Sequence, residues 1–330
     1  MRIFQPAGVM AVAALFVVTA CGSSPATPSG SASPRTSASA SASASASSVT
    51  TPSAAGSSSV PGSPAVTPSA APSAVANVPS DQLAQPGRLL ICSDLPYPPQ
   101  EFFDDQGNPI GSDIEIGQEI ARRLGLEPRI VNSVFDTIIA ALTGGKCDII
   151  VSAQNITAAR KKQVDMITYF QAGQSFLVAK GNPQNIKTQQ DLCGKAVAAE
   201  SSTTEVDYLN GTGDYAGQGL SAQCTKAGKA KISVKTFPKD SDALLALQGG
   251  QVDAYFADSP VAGYYVSQHP EAFELSGLTL GVAKEGISVD KGHPELRAAV
   301  QRALSQMVTD GTYLKILQKY GVESSNVFAK

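Results

Sequence analysis

Apolar residues along this chain follow two periods. From Ser112 to Leu124, Ile116, Ile120 and Leu124 recur every four positions and share one face of a predicted helix. Ser112 and Glu115 have capping-box spacing at its start, and Gly125 closes it. Pro294 to Met307 and Thr312 to Lys319 also read as helices, with Leu296, Val300, Leu304 and Val308 on one stripe. Between such stretches lie short runs without charge: Leu89 to Cys92, Arg129 to Val131 past its arginine, Ile149 to Val151, Ala196 to Ala199 and Ile232 to Val234. These read as buried strands. Strands alternating with helices predict parallel sheets and ligand contacts at the carboxyl ends of the strands.

One pattern occurs twice. Ile139 to Ala153 and Leu244 to Asp258 each run helix, Gly-Gly, two residues, Asp, apolar strand. Glycine after the last helical turn supplies a left-handed cap. Each helix has an acidic start, Asp136 in the first and Asp240 or Asp242 in the second, as the helix dipole favours. The matched spacing points to two lobes built on one plan.

Composition divides the chain differently. Residues 1–20 have an early Arg2, an apolar run too short for a comfortable membrane span, and small residues before Cys21, so they read as a secretory signal peptide. Val18-Thr19-Ala20-Cys21 resembles the lipobox of bacterial lipoproteins, which makes Cys21 the expected lipidated N-terminus and a lipid anchor the expected membrane contact. Residues 21–84 are mostly Ser, Ala, Pro, Thr and Gly and cannot bury enough apolar surface to fold. They read as a tether spanning about 45 Å as a coil and ~190 Å when extended.

The remaining chain has no basic stripe, and the net charge of the whole is −3, so nucleic acid is not an expected partner. No CxxC pair or His/Cys cluster suggests a metal. His269 and His293 each precede a proline and read as loop or helix-start residues. Cys193 opens one second-lobe strand and Cys224 precedes another, so they are expected to form a disulfide worth about 3 kcal/mol. Cys92 and Cys147 fall near the end of one strand and the start of the other, too far apart to bond if those strands are parallel neighbours, and are expected to stay free.

Four segments carry a family resemblance: Cys92 to Phe102 with its Tyr-Pro-Pro turn, Gly111 to Ile116, Asn155 to Arg160 with Val164-Asp165, and Asp253 to Pro260. In this order and spacing the chain resembles the bacterial extracellular solute-binding proteins of family 3, the amino-acid-binding components of ABC importers. Ser112, Gln100 and Asn155 depart from that family's usual residues. The resemblance implies a type II periplasmic-binding-protein-like α/β fold, with two mostly parallel sheets flanked by helices and joined by a two-crossover hinge. It assigns 85–174 and 280–330 to the first lobe and 175–279 to the second. It implies a monomer, partnered by a free amino acid and by an ABC permease with its ATPase, with no cofactor.

The residues can be given roles on that basis. Arg160 can hold an amino acid's carboxylate with two parallel charge-assisted hydrogen bonds. Asp258 can take the ammonium. Ala153 and Asn155 let the ligand approach the backbone, and Thr203 and Thr204 begin a helix whose free N–H groups face the carboxylate. Tyr97 and Phe135 are candidate walls. Asp94 and Glu205 could receive a positive side chain, which favours a polar or basic amino acid slightly. The bland alternatives are a solvated Arg160 beside Lys161 and Lys162, and an Asp258 that merely starts a helix. An enzyme of the dehydratase kind would use Asp94 or Glu205 as acid, while an adhesion lipoprotein would explain the tether but not the pairing of Arg160 with Asp258. Intact-mass measurement of the membrane fraction is expected to show residues 1–20 missing and Cys21 acylated; unmodified protein released wholly to the medium would contradict this.

Overall fold

Residues 78–329 are described in the computed structural model, so the signal peptide, Cys21 and most of the tether lie outside the described part. The last residues assigned to the tether are packed. Val78 lies against the core, Leu83 is buried within it, and the Ala84 N–H donates to Asp148 Oδ1 at 2.6 Å.

The elements alternate strand and helix. The first part holds β1 (Arg88–Ser93), a small hairpin of β2 (Phe102–Phe103) and β3 (Pro109–Ile110), α1 (Ser112–Arg123), β4 (Glu127–Asn132), α2 (Ile138–Thr143), β5 (Ile149–Ile150) and α3 (Ala158–Gln163). A long strand, β6 (Val164–Ala179), leads to β7 (Ala196–Glu200), α4 (Thr204–Asn210), α5 (Leu220–Lys226), β8 (Ser233–Phe237), α6 (Asp240–Gln248), β9 (Ala254–Asp258) and α7 (Ser259–Gln268). A second long strand, β10 (Phe273–Asp290), returns to α8 (Pro294–Thr309) and α9 (Thr312–Lys319).

The sheet order is β4-β1-β5-β10-β6-β9-β7-β8. At one end β4, β1 and β5 are mutually parallel; at the other, β9, β7 and β8 are. The two parallel wings are joined into one sheet by β6 and β10, which pair antiparallel from Val164–Asp290 to Ala179–Phe273. Each wing has its own cores. Ile91, Ile116, Ile120, Leu296, Val300 and Leu304 pack in the first, and Phe176, Val197, Leu209 and Phe256 in the second. None of the described helices is long and apolar enough to cross a membrane.

The repeated aspartate has the same job in both wings. Asp148 donates its N–H to the Leu90 carbonyl (2.8 Å), and its Oδ2 accepts from the Leu90 N–H (2.6 Å). Asp253 donates to the Ala196 carbonyl and accepts from the Ala196 N–H, both at 2.8 Å. Each aspartate thus locks the strand that follows Gly-Gly beside the first strand of its wing. The left-handed residue is the second glycine of each pair, Gly145 at φ 70° and Gly250 at φ 67°.

Two expectations need correction. Ser112 does not cap α1: Gly111 occupies the N-cap, with no side-chain cap bond. Gly111 sits at φ 129°, where a Cβ would stand 2.1 Å from the Gln100 carbonyl oxygen, so glycine is required. Nor are Cys92 and Cys147 free; they form a disulfide with Cα atoms 5.8 Å apart. Their strands are parallel neighbours, but Cys147 precedes β5 and is buried with Leu90, Cys92, Ile138 and Leu142. The connection folds back over the sheet face there and cancels the offset along the strands. A second disulfide joins Cys193 to Cys224.

These bonds close loops of 55 and 31 residues. Non-reducing peptide maps are expected to show both links. Reduction should lower the unfolding free energy by about 3–4 kcal/mol per bond in the chain-entropy account. Alkylation of Cys92 or Cys147 without reductant would contradict the assignment.

Candidate functional site

The carboxyl ends of the parallel strands of both wings face one cavity. Asp94 and Tyr97 follow β1, Phe135 follows β4, and Ser152, Ala153 and Asn155 follow β5. From the other wing, Glu200 ends β7, Thr203 and Glu205 stand at the start of α4, and Asp258 ends β9. These residues, with Glu101, line a cavity of about 10 Å³, with the two wings closed tightly around it. Tyr97 and Ala153 of the first wing also pack into the second wing's apolar cluster.

Several bonds cross between the wings. Tyr97 Oη donates to Asp258 Oδ2 at 3.0 Å and accepts from the Asp258 N–H at 3.2 Å. Thr204 Oγ1 donates to Asn155 Oδ1 at 2.6 Å. Arg160 donates from Nη1 to the Asn155 carbonyl (2.8 Å) and from Nη2 to the Ser202 carbonyl (3.0 Å), its guanidinium 5.2 Å from the Phe135 ring centroid. Lys239, just before α6, pairs with Asp94 Oδ1 and donates to the Leu95 carbonyl at 3.2 Å. Within the first wing, the Phe135 N–H donates to Asp94 Oδ2 at 3.0 Å.

The structure therefore brings Asp94, Tyr97, Phe135, Ala153, Asn155, Thr203 and Asp258 to one cavity wall. Thr204 stands behind it, bonded to Asn155. Arg160 is buried but does not line the cavity; it lies behind Asn155 and Phe135 on backbone carbonyls. Thr203 is the N-cap of α4 and its hydroxyl donates to the Glu200 carbonyl, while Thr204 is the helix's first residue. Glu101, Ser152, Glu200 and Lys239 were not singled out by the sequence. An acid ending a buried run, as Glu200 ends Ala196 to Ala199, is the signal that could have found one of them.

The cavity is rich in acid. Burial, with Glu205 alongside, pushes Asp258 well above the usual carboxylate range. Burial also raises Glu205 and Glu101, the latter further by Asp113. Burial beside Asp94 and Asp240 pushes Glu200 up to about 11. The Arg160 guanidinium is pulled below its usual value by burial, against the charges of Glu205, Asp207, Asp258 and Asp214. Asn155 Nδ2, Asp258 Oδ1, Glu200 Oε1 and Glu101 Oε2 are buried without a partner among the described residues. Orphaned polar atoms on residues that share one cavity are the chemistry of a ligand site. One donor (Asn155) and several acceptors fit a small molecule with an anionic and a cationic end.

Two α/β wings joined by a pair of long strands, with a polar cavity between their strand ends, define a type II periplasmic amino-acid-binding fold. The chain belongs to the bacterial extracellular solute-binding proteins, family 3, whose sequence profile matches residues 89–323. It is 27% identical over 241 residues to the L-cystine-binding protein TcyJ of Escherichia coli (strain K12), covering 73% of this chain and 85% of that one. An ancestral arginine-binding protein bound to arginine superimposes with a TM-score of 0.63 at 36% identity, covering 71% and 98%. The ancestral amino acid-binding protein AncCDT-1, a precursor of cyclohexadienyl dehydratase, gives 0.60 at 34% identity, covering 71% and 95%.

Buried acids leave a mark on stability. Asp240 lies behind Glu200 and accepts from Tyr265 Oη; burial pushes it up to about 8. Its unfolded value is near the ordinary ~3.9. Between roughly pH 4 and 8 the folded state therefore holds a proton that the unfolded state has released, and stability falls as pH rises through that window. Asp240→Asn is expected to flatten the loss, which for one proton is at most about 1.4 kcal/mol per pH unit. Urea midpoints of parent and variant between pH 4.5 and 8 check this; parallel slopes would contradict it.

Proposed function

We propose that this protein captures a free amino acid with a cationic side chain and delivers it to an ABC permease and its ATPase, held at the membrane by a lipidated Cys21. The observation that carries the ligand class is the crowding of acids on the cavity wall: Asp94, Glu101, Glu200, Glu205 and Asp258 line it, Lys239 and Arg160 are the cations bonded beside it, and an entering cation would draw the raised acids back toward their charged form. The acids form two groups. Asp258 and Glu205, beside Tyr97, take the α-ammonium. Asp94 and Glu200, beside Phe135, take the positive side chain, with the ring available for stacking. Asn155 Nδ2 meets the carboxylate, together with the N–H groups at the start of α4, and Arg160, which stands behind Asn155 in this arrangement, joins them by turning its guanidinium off the Asn155 and Ser202 carbonyls into the cavity.

Binding then needs both wings, because the carboxylate partners come mainly from the first and the ammonium partner Asp258 from the second. The ligand favours the closed arrangement by differential affinity, with β6 and β10 as the hinge. Relatives named for arginine fit this reading, while the one named for cystine takes a ligand whose far end carries both an ammonium and a carboxylate. The dehydratase alternative keeps one observation, a Glu205 held above its usual range and so able to donate a proton.

Thermal shift against free amino acids is expected to give the largest rise with arginine, lysine or ornithine. In calorimetry with the best of these, Arg160→Ala and Asp258→Ala should each lose at least ~30-fold in affinity, as expected when one partner of a buried charge pair is removed. Lys161→Ala, on an exposed side chain, should change little. Parent-like binding by Arg160→Ala, or damage from Lys161→Ala, would overturn the site; turnover of the bound compound would favour the enzyme.

A further inference from the structure

We propose that Lys239 is a specificity-determining residue: a cation supplied by the chain itself that competes with the ligand's cationic side chain for Asp94. The inference rests on the cationic-ligand reading above and adds a device to it.

The position is an unusual one for a lysine. Lys239 is the N-cap of α6, where the helix dipole disfavours a cation and the preferred residues are Ser, Thr, Asp and Asn. Its side chain does not serve the helix. It reaches across to the first wing, to Asp94 Oδ1 and the Leu95 carbonyl. Among the ion pairs of the described residues, this is the one that links the two wings. The Asp94 side chain is 4% exposed and that of Lys239 24%, so the acid sits inside the cavity wall and the lysine at its rim.

Both oxygens of Asp94 are engaged, Oδ2 by the Phe135 N–H and Oδ1 by Lys239. A guanidinium or ammonium that approaches Asp94 from the cavity must share Oδ1 with Lys239 or displace it. Displacement is open to Lys239, because its stem is flexible and its side chain remains 24% exposed. The remaining groups facing this corner are Glu101 of the first wing and Glu200 and Asp240 of the second, the last bonded to Tyr265. They attract either cation equally and so do not remove the competition. With a neutral side chain in the cavity, Lys239 keeps its pair and its link between the wings. With a cationic one, two like charges about 4–5 Å apart meet at one carboxylate, a repulsion large enough at a protein surface to shift affinity about tenfold.

Arginine and citrulline separate these cases, since they differ in guanidinium against urea at nearly the same shape. Calorimetry on the parent, Lys239→Met and Lys239→Arg should show the arginine-to-citrulline affinity ratio rising about tenfold in Lys239→Met and staying near the parent value in Lys239→Arg. Citrulline alone should bind Lys239→Met no better than parent, because a link between the wings is lost. In an Asp94→Asn background the Lys239→Met effect on the ratio should vanish. If Lys239→Met weakens both ligands equally, Lys239 is only a clasp and the inference fails; it also fails if arginine loses more. A parent that prefers citrulline would overturn the cationic-ligand reading while the change in ratio still reports competition. If neither compound binds the parent, both readings fall. Unfolding midpoints of each variant confirm that the folded protein is compared.

Discussion

Two hydrogen-bonded strands have to hold the wings opposite each other, and every contact across the cavity depends on them. β6 and β10 pair along their length, but the register shifts between Leu275 and Thr279, between Leu280 and Ala283, and between Glu285 and Gly286. Such irregularities bend and twist a ladder. They fall where the strands leave one wing for the other. The result is that Tyr97 meets Asp258 across 161 positions of sequence and Lys239 meets Asp94 across 145. Bonds so remote in sequence carry a large ordering cost unless the scaffold positions them beforehand.

The second constraint is electrostatic. Glu101, Asp113, Glu200, Glu205, Asp240, Asp258 and Glu285 are all buried and all raised above the ordinary carboxylate range, burial being the largest cause in each. A chain shaped only for stability would exchange several of them for apolar residues, because buried charge seldom repays its desolvation. Concentrating four of them, Glu101, Glu200, Glu205 and Asp258, on one cavity wall is the mark of a site that trades stability for recognition. Hydroxyls and amides temper the cost. Ser152 donates to Glu101, Gln174 to Glu205 and Gln100 to Glu285, at 2.7, 2.9 and 2.8 Å.

Much of this arrangement was legible because local pattern and global fold agree. α9 runs over the predicted Thr312–Lys319, and α1 buries Ile116 and Ile120, with Leu124 buried at its C-cap, as their spacing requires. Residues that follow a buried run, such as Asp94, Ala153 and Asp258, were legible for the same reason. What escaped was decided by backbone paths that periodicity does not encode. Gly277, Gly281 and Gly286 break up the pattern of β10, which therefore does not read as one strand. Cys147 reaches Cys92 only because its connection folds back over the sheet. Arg160 was placed on the ligand by its motif, whereas its side chain spans Asn155 and Ser202, and Ser202 stands at φ 61° on a loop with no strand or helix signal. Lys239 carried no sequence signal, because nothing local shows that the first wing lies above it.

The repeated Gly-Gly-x-x-Asp element explains why the legible part includes much of the candidate site. Its aspartate fixes the strand against its neighbour through two bonds, so the residues three to five places later have a determined height above the sheet. In the first wing those places hold Val151, Ser152 and Ala153, and Ala153, at φ 43°, turns its N–H to Asp113 Oδ2 at 2.8 Å. In the second they hold Phe256, Ala257 and Asp258, with Asp258 at the head of α7. The same register device therefore delivers small residues and close backbone on one side and a carboxylate on the other. An asymmetric ligand, anionic at one end and cationic at the other, is what two copies of one scaffold can hold once their strand ends differ in this way.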